Sequence, residues 1–289
     1  MLMPELPEVE TIARGLSKVL KGKRIKQVRT IFPKIVKQDC GLFEKELARK
    51  TIKAVRRRGK YLLIDLSAGK TILIHLGMTG SFLFAPNNPK GSKGSQVGKH
   101  DHVILSFRDC DELLRYNDQR KFGKLKVYDT KDEANVPELK KLGPEALEIS
   151  SSEFVRLFRK RKGMIKPALL NQHILSGLGN IYADESLHEA RIHPAQKIDL
   201  ISDRKLKNLH KAIRKTLLKA IRAGGSSIDN YVKVDGELGN FQLQHKAYGR
   251  EGEPCRKCGA KIKRIKITQR SSYFCPRCQR HTRQYESSR

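Results

Sequence analysis

Four cysteines near the end of the chain have the spacing of a metal site. Cys255 and Cys258 form one Cys-x2-Cys pair, and Cys275 and Cys278 form a second pair after sixteen intervening residues. Both sulfurs of such a pair can reach one ion, and two pairs complete the tetrahedral thiolate set that Zn²⁺ prefers. Two disulfides are the alternative, which a reducing compartment disfavours. The spacing predicts one structural zinc ion in a two-stranded ribbon. Arg270, between the pairs, is placed to reach a phosphate or a reacting centre.

The start of the chain carries a second reactive group. Removal of Met3 would leave Pro4 with a secondary amine, and because a terminal amine titrates near pH ~8, part of it is unprotonated at neutral pH. Such an amine can attack the anomeric carbon of a sugar, and the resulting iminium acidifies the neighbouring carbon for elimination. The adjacent Glu5 could protonate the opening sugar. Ordinary processing of a Met-Pro-Glu start is the alternative explanation.

The segment SGLGN at residues 176–180 lies between two helical patterns. Its glycines permit a tight double turn, and Asn180 then opens a helix whose free backbone N–H groups face an anion. The segment indicates either a helix–turn–helix variant that clamps a DNA backbone or a plain turn with an asparagine cap.

The charge of the chain favours a polyanionic partner. The 289 residues include 60 Lys plus Arg against 30 Asp plus Glu, a formal net charge of +30. Neutralised phosphates release counterions, so nucleic acid is favoured over a membrane surface or a merely lysine-rich exterior. No stretch approaches the roughly 20 apolar residues of a spanning helix. Because the first residues are acidic and lack an apolar run, we expect them not to act as a signal peptide. We expect a cytoplasmic protein in which Cys40 and Cys110 are packing thiols.

Hydrophobic patterning predicts the elements that position these groups. Apolar residues recur at helical spacing over residues 9–20, and residues 151–223 are again helical up to the pair Gly224-Gly225. Between them, short β-rich runs predict an antiparallel sandwich. The runs cover residues 25–32, 52–56, 61–66, 71–76, 81–84, 102–107, 112–116 and 125–128.

Further motifs follow one another along the chain. They are PELPEVET at 4–11, GKY at 59–61, HLGMTG at 75–80, KHDH at 99–102, RKFG at 120–123, the SGLGN turn, AYGR at 247–250 and CPRCQ at 275–279. Taken together, in unbroken order from residue 3 to residue 283, these motifs resemble those of the formamidopyrimidine-DNA glycosylases. The resemblance implies damaged double-stranded DNA as the partner and Zn²⁺ as the one cofactor.

The fold class that the resemblance implies is α+β with several domains. We expect an N-terminal catalytic β-sandwich with a leading helix over residues 1–136 and a linker over 137–150. A helix–two-turn–helix DNA-binding domain would cover 151–250, with a lesion-recognition loop at 225–247. A four-cysteine zinc ribbon would cover 251–289.

The resemblance also implies catalytic roles. Pro4 would form a Schiff base with the sugar of the damaged nucleotide, Glu5 would donate a proton to that sugar, and Glu8 would orient the terminal amine. Lys60 would contact phosphate and assist elimination, although it could be one more surface lysine of a basic run. Arg270 would hold a phosphate near the lesion and assist the second elimination.

Further residues are implied to contact the DNA backbone. Asn180 and Lys166 would grip backbone oxygens. Arg161, Lys162 and His100 would accompany them.

Three residues match the set with which this family fills the gap left by an everted base. The set consists of a flexible apolar side chain, a hydrogen-bond donor for the unpaired partner base and an aromatic ring. This void-filling trio is Met78, Arg120 and Phe122, with Lys121 between its last two members. Ordinary sandwich packing is the alternative for the two apolar members.

The segment 226–231 resembles a loop that closes over an everted purine. Ser226 would meet the N7 hydrogen of 8-oxoguanine, and four backbone N–H groups would meet its oxygen. These four belong to Ile228, Asp229, Asn230 and Tyr231. The length of the segment favours oxidised purines over oxidised pyrimidines.

Three features depart from the family pattern. Residues 1–2 precede the Met-Pro-Glu start, and we expect Met3 to be the true start. Gln119 and Lys121 replace a proline and an arginine, and the lysine keeps the charge but loses the bidentate fork. Asn171 replaces an aspartate. The last two departures bear on efficiency rather than on identity.

The leading hypothesis is a monomeric, bifunctional glycosylase and lyase that excises oxidised purines in base excision repair. The same scaffold tuned to oxidised pyrimidines is one alternative. A non-catalytic zinc-ribbon DNA-binding protein is the other, but it gives Pro4, Glu5 and the void-filling trio no role.

Overall fold

The computed structural model describes residues 3–86, 97–228, 231–234 and 236–281. Contacts divide the chain into two compact units, each built from two stretches of sequence. Unit 1 comprises Met1–Lys141 and Ile221–Gln242, and unit 2 comprises Leu142–Ala220 and Leu243–Arg289.

Unit 1 begins with helix α1 (Leu6–Leu20). Pro7 lies in the first turn, where a missing N–H is harmless, and Glu8 brings a carboxylate to the positive end of the helix dipole. The three- and four-residue spacing of apolar side chains gives the helix one buried face, which includes Leu6, Val9, Ile12, Leu16 and Leu20. The predicted leading helix is confirmed.

Two four-stranded antiparallel sheets follow. The strands are β1 (Ile25–Thr30), β2 (Ile52–Arg58), β3 (Tyr61–Leu66), β4 (Lys70–His75), β5 (Gly80–Pro86), β6 (Asp101–Phe107), β7 (Glu112–Asp118) and β8 (Lys124–Asp129). One sheet has the order β1-β6-β7-β5 and the other the order β2-β3-β4-β8. Apolar side chains of both sheets and of α1 form one core. The predicted sandwich is confirmed.

Helix α2 (Cys40–Leu47) lies between β1 and β2, where the sequence interpretation contained no helix. The Asp39 side chain caps it by accepting a hydrogen bond of 2.7 Å from the backbone N–H of Leu42. The helix buries Phe43 and Leu47 against the sandwich core. A one-turn helix α3 (Pro137–Lys140) follows β8.

Unit 2 is helical apart from its ribbon. It contains α4 (Ser151–Arg159), α5 (Ile165–Leu170), α6 (Asn180–Glu189) and most of α7 (Asp203–Arg222). Every residue of α6 from Asn180 to His188 is buried, so this helix has almost no solvent face. The ribbon pairs β9 (Lys263–Ile267) with β10 (Arg270–Phe274) in antiparallel register, as predicted. Among the described residues, no helix is long and apolar enough to cross a membrane.

One boundary differs from the expected domain plan. We placed the loop 225–247 with the helical domain, whereas Ile221–Gln242 groups with the sandwich. The reason is packing, because Tyr231 and Val234 of this segment belong to the hydrophobic core of unit 1. The segment that is expected to recognise the lesion therefore shares a unit with Pro4.

Candidate active site and nucleic-acid-binding residues

The first turn of α1 forms a buried polar site. Pro4, Glu5 and Glu8 are all buried. One Glu8 oxygen, Oε2, accepts a hydrogen bond of 2.9 Å from the backbone N–H of Glu5. The other, Oε1, accepts one of 2.8 Å from the backbone N–H of Ser226. The Glu8 carboxylate thus binds the backbone of Glu5, which follows the predicted nucleophile Pro4. It also binds the backbone of Ser226 in the predicted lesion-binding segment.

Gly225 allows this close approach. Its φ of +81° lies in the left-handed region, and a Cβ built there would lie 3.0 Å from Glu8 Oε1 and 3.0 Å from a ring carbon of Tyr231. A side chain at this position would press directly on the Glu8 carboxylate, so the segment needs glycine for conformation and for space.

The segment after Gly225 is tied to itself by Ser227, a residue that the sequence interpretation missed. Its hydroxyl donates to the Tyr231 carbonyl at 2.8 Å and accepts from the Gly239 N–H at 2.8 Å. Its own N–H donates to Gln242 Oε1 at 2.9 Å. No periodic pattern marks such a loop, so only the fold could reveal these contacts.

The predicted lesion-binding residues divide into two groups. Ser226 and Tyr231 are buried, and Ile228 is exposed. Asp229 and Asn230 lie outside the described residues.

Lys60 lies in the hairpin turn between β2 and β3, and it is only 9 % exposed. Arg57 braces this hairpin, since its guanidinium donates to the Gly59 carbonyl at 3.0 Å and to Glu10 of α1 at 3.0 Å. Burial, followed by the positive charges of Lys60 and a second lysine, lowers the pKa of His75 to about 4. Lys60 is therefore a confined cation beside a neutral histidine, unlike an ordinary surface lysine.

The void-filling trio comes from two neighbouring loops. Met78 is half-buried in the loop between β4 and β5, while Arg120 and Phe122 are exposed in the loop between β7 and β8. Phe122 is 52 % exposed, and its ring lies 4.8 Å from the Arg120 guanidinium. Lys121, at a φ of +59°, places its amine 4.5 Å from the Phe32 ring. An aromatic ring exposed to this degree is not a core residue.

The four cysteines of the ribbon lie together as their spacing predicts. Their ligand atoms are all within 4.8 Å of one another, and the Cys258–Cys275 and Cys255–Cys278 sulfurs are 3.4 and 4.0 Å apart. Tetrahedral zinc with Zn–S bonds of about 2.3 Å requires sulfurs roughly 3.8 Å apart. The set therefore fits one structural zinc ion, and the predicted four-cysteine site is confirmed.

Lys166 differs from the expectation that it grips a DNA phosphate. It is 0 % exposed, and its ammonium lies 2.6 Å from Asp184 Oδ1. The same ammonium donates to the Ser271 carbonyl and to Ser272 Oγ, both at 2.8 Å. In this structure these contacts join α5 to β10 through the buried Lys166 ammonium.

Asp184, one turn after Asn180 on α6, was also missed by the sequence interpretation. Its Oδ2 accepts a hydrogen bond of 2.9 Å from the backbone N–H of Tyr273. Burial raises the pKa of Asp184 to about 7, against the opposing effect of the Lys166 ammonium. Arg270 is exposed at the start of the same strand, so the buried pair fixes the backbone that carries it.

Asn180 is the first residue of α6, and Gly179, rather than Asn180, is the N-cap. The side-chain amide of Asn180 donates to the Ser271 carbonyl at 3.0 Å. Its Oδ1 is buried without a hydrogen-bond partner in the described part of the chain. Arg161 and Lys162 are exposed in the turn after α4. His100 is half-buried before β6 in unit 1. Their DNA contacts stay predictions.

The sequence matches three family models in chain order. The formamidopyrimidine-DNA glycosylase N-terminal domain covers residues 3–125, the H2TH domain of that enzyme covers 142–232, and a zinc finger found in FPG and IleRS covers 252–280.

Full-length relatives agree. The chain is 41% identical over 280 residues to the formamidopyrimidine-DNA glycosylase of Lactiplantibacillus plantarum, covering 96% of this chain and 100% of the relative. It is 42% identical over 282 residues to that of Bacillus subtilis, covering 96% and 99%.

A solved complex of the wild-type Lactococcus lactis enzyme with DNA containing N7-benzyl-Fapy-dG superposes with a TM-score of 0.87 at 37% identity, covering 96% of this chain and 100% of that one. A complex of the same enzyme with DNA containing an abasic site gives a TM-score of 0.88 at 37% identity and the same coverage. Fold, zinc site and sequence thus define a zinc-finger DNA-repair glycosylase. The chain belongs to the formamidopyrimidine-DNA glycosylase family.

Proposed function

We propose that this protein is a bifunctional DNA glycosylase and lyase that excises oxidised purines, 8-oxoguanine and formamidopyrimidines, from duplex DNA in base excision repair. The observation that carries the proposal is the double attachment of Glu8 to the Glu5 and Ser226 backbone. It brings a candidate nucleophile and a candidate base-binding segment to one buried carboxylate. Relatives that share 41% and 42% identity bear the name of this activity.

The chemistry begins at Pro4 in protein from which the residues before Pro4 have been removed. Its secondary amine attacks C1′ of the damaged nucleotide, and the glycosidic bond breaks with its electron pair leaving on the base, which takes up a proton. Glu5 protonates the sugar ring oxygen as the ring opens, which yields the iminium. The iminium acidifies C2′, so loss of that proton expels the 3′ phosphate. A second elimination expels the 5′ phosphate.

Two cations support these eliminations. Lys60 is confined in its hairpin, and its ammonium stabilises negative charge on a phosphate next to the lesion. Arg270 presents a planar fork that binds a phosphate with two hydrogen bonds, which suits the second elimination. Cys255, Cys258, Cys275 and Cys278 would hold a zinc ion with no open position, and such an ion would serve to hold the ribbon that carries Arg270.

DNA binding uses residues of both units. Asn180, Arg161, Lys162 and His100 contact the backbone, and the void-filling trio enters the gap that base eversion leaves. Eversion costs a few kcal/mol, which these contacts offset. The damaged duplex binds one copy of the protein, a monomer.

Borohydride trapping tests the proposal. Protein whose N-terminus has been checked by mass spectrometry is mixed with a duplex that carries one 8-oxoguanine opposite cytosine, and a covalent adduct is mapped by proteolysis. We expect the adduct at Pro4. Trapping should be reduced in Pro4→Gly, which offers a primary amine, and lost when the Pro4 amine is acetylated. An unmodified amine that forms no adduct with this duplex contradicts the proposal.

A second duplex separates the substrate classes. The Lactococcus lactis relative has been solved with DNA that contains an oxidised pyrimidine, so a thymine-glycol duplex is the matched comparison. Faster trapping on thymine glycol than on 8-oxoguanine would assign the protein to oxidised pyrimidines. Binding to both duplexes without any trapping would assign it to non-catalytic DNA binding.

Salt dependence tests the basic surface. The logarithm of the binding constant should fall with the logarithm of salt concentration by about 0.9 per neutralised phosphate. A flat response would exclude the proposed phosphate contacts.

A further inference from the structure

The two loops that carry the void-filling trio meet at one buried carboxylate. Asp118, the last residue of β7, is 0 % exposed. It pairs with Gly80 at the start of β5, which brings its side chain to the end of the Met78 loop. The loop 119–123 begins directly after it. Asp118 therefore lies between the two segments.

The carboxylate accepts hydrogen bonds from both loops. Oδ1 accepts from the Thr79 hydroxyl at 2.5 Å and from the backbone N–H of Arg120 at 3.3 Å. Oδ2 accepts from the backbone N–H of Gly123 at 2.7 Å. The Arg120 N–H also donates to Thr79 Oγ1 at 3.0 Å, which closes a ring of hydrogen bonds.

The backbone of Asp118 adds two contacts. Its carbonyl accepts from the Lys121 N–H at 3.2 Å and from His102 Nε2 at 2.8 Å. Every residue of the 120–123 loop except Phe122 is therefore held by Asp118 directly. Phe122 is left exposed at the tip.

The loops are also in direct backbone contact. A Cβ built on Gly77, at a φ of +64°, would lie 2.7 Å from the Gly123 nitrogen and 2.7 Å from the Phe122 carbonyl carbon. Neither loop can shift without the other, and the carboxylate that joins them sets their common position.

We propose that Asp118 is a positioning residue that aligns Met78, Arg120 and Phe122 as one unit, and that it thereby sets how the protein inserts into duplex DNA and reads the base opposite the lesion. This inference rests on the proposed function, in which the trio fills the gap. A carboxylate accepts at both oxygens, whereas an asparagine amide would turn N–H hydrogens toward at least one of the three donors.

The test uses Asp118→Asn, which changes shape least. Each protein is bound to a duplex that carries a stable abasic analogue opposite 2-aminopurine, whose fluorescence rises when it is unstacked. We expect a clear rise with the native protein and a loss of most of that rise with Asp118→Asn. This readout needs no catalysis.

Activity gives the second readout. Excision of 8-oxoguanine opposite cytosine should fall by about tenfold to a hundredfold in Asp118→Asn, because one buried donor is left unpaired. Cleavage of an abasic site in a single strand, which has no opposite base, should change by less than about threefold. The preference for cytosine over adenine opposite the lesion should shrink with the duplex activity.

Matched variants separate positioning from stability. Thr79→Val removes the hydroxyl that donates to Asp118 and accepts from the Arg120 N–H, leaves the carboxylate in place and should give a smaller effect of the same kind. Thr79→Ser should keep native behaviour. Asp65→Asn disturbs another, partly buried carboxylate of the sandwich, which binds Arg56 and Thr71, and should leave the fluorescence response intact.

The outcomes are distinct. An unchanged fluorescence response in Asp118→Asn, or equal losses on duplex and single-stranded substrates, would overturn the proposal. If the native protein fails to excise 8-oxoguanine, the proposed function fails, yet the fluorescence comparison still decides the role of Asp118. A native protein that produces no fluorescence rise would refute the positioning role as well.

Discussion

Glu8 in unit 1 and Asp184 in unit 2 are both buried carboxylates, and each fastens a segment that carries a proposed catalytic residue. Glu8 accepts from backbone N–H groups such as that of Ser226. Asp184 accepts from the backbone N–H of Tyr273 but also needs the ammonium of Lys166 at 2.6 Å. Contacts to the main chain survive most substitutions of the partner, whereas an ion pair fails when either side chain changes. The Pro4 end is therefore held more robustly than the Arg270 end.

The two regions also differ in their cores. The sandwich buries apolar side chains from α1, both sheets and the segment around Tyr231. The buried cluster of the ribbon, within the described residues, consists of Cys255, Ile262 and Cys275. Because so small a cluster cannot stabilise a fold by itself, the ribbon depends on zinc.

Zinc removal should give the largest difference in behaviour between the ribbon and the sandwich. Structural zinc contributes about 10–16 kcal/mol in zinc-finger peptides, so chelation should disorder β9 and β10. The second elimination, which Arg270 assists, should slow by at least about 100-fold, since a misplaced catalytic group has that effect. The thermal transition of the sandwich should persist. Cleavage assays and circular dichroism melts before and after chelation measure both.

Cys40→Ser is the control for this experiment, because Cys40 is a thiol outside the metal site. It should retain zinc and activity. Loss of the sandwich transition together with the metal would show that the two regions are not independent.

Lys166→Met should have the next largest effect. It leaves Asp184 buried without its cation, which costs about 3 kcal/mol or more, and it loosens the strand that carries Arg270. We expect lower resistance to urea and a shift of products from δ- toward β-elimination, with trapping at Pro4 retained. Lys166→Met combined with Asp184→Leu should recover much of the stability. Lys207→Met, at an exposed lysine of α7, should leave the product ratio unchanged.

Acid should destabilise the protein through two half-buried histidines. The pKa of His75 in unit 1 is lowered from 6.5 to about 4 by burial and by nearby lysines, and burial and His281 lower that of His193 in unit 2 to about 4. Between these pH values the unfolded chain binds more protons than the folded one, so stability present above pH 6.5 is lost as the pH falls toward 4.

His75→Gln should remove its share of this loss, up to about 3 kcal/mol at the acid end. Urea unfolding at several pH values measures it. His173→Gln, at an exposed histidine, should leave the pH dependence as it is. An equally steep profile in His75→Gln would contradict the assignment.

Gly225→Ala should have the smallest effect on stability, about 1–2 kcal/mol, with a clear loss of 8-oxoguanine excision. The added methyl group would press on Glu8. Gly236→Ala is the matched control, because it has a similar φ of +85° but nothing within 4 Å of its Cβ. Similar excision by both variants would show that backbone strain, rather than contact with Glu8, decides the result.

Local patterns predicted much of this molecule. A short β-rich run marked β3 at its observed bounds, and the Cys-x2-Cys spacing marked the zinc site. The sequence analysis did not predict helix α2, because its eight residues give barely two turns of hydrophobic periodicity. The cap at Asp39 was the available signal.

The polar network around Lys166 in unit 2 could not be predicted from local sequence patterns. The Lys166 ammonium binds Ser271, which is 105 residues away in sequence. Its burial depends on how α5, α6 and β10 pack. From the sequence alone, a lysine in a basic chain is predicted to bind phosphate, and only the fold shows that its partners are protein groups. Asp118 was not predicted for the same reason, because the Met78 loop and the loop 119–123 meet only in the folded sandwich.

Helix α6 has a dynamic consequence. Asp184 binds β10, Glu185 accepts backbone N–H groups of residues 246–248, and His188 lies 3.4 Å from the Cys255 sulfur. A local opening of this helix that includes residues 184–188 must break all three attachments. Its amide hydrogens should accordingly exchange with deuterium more slowly than those of the other helices of unit 2, and only when the whole unit opens.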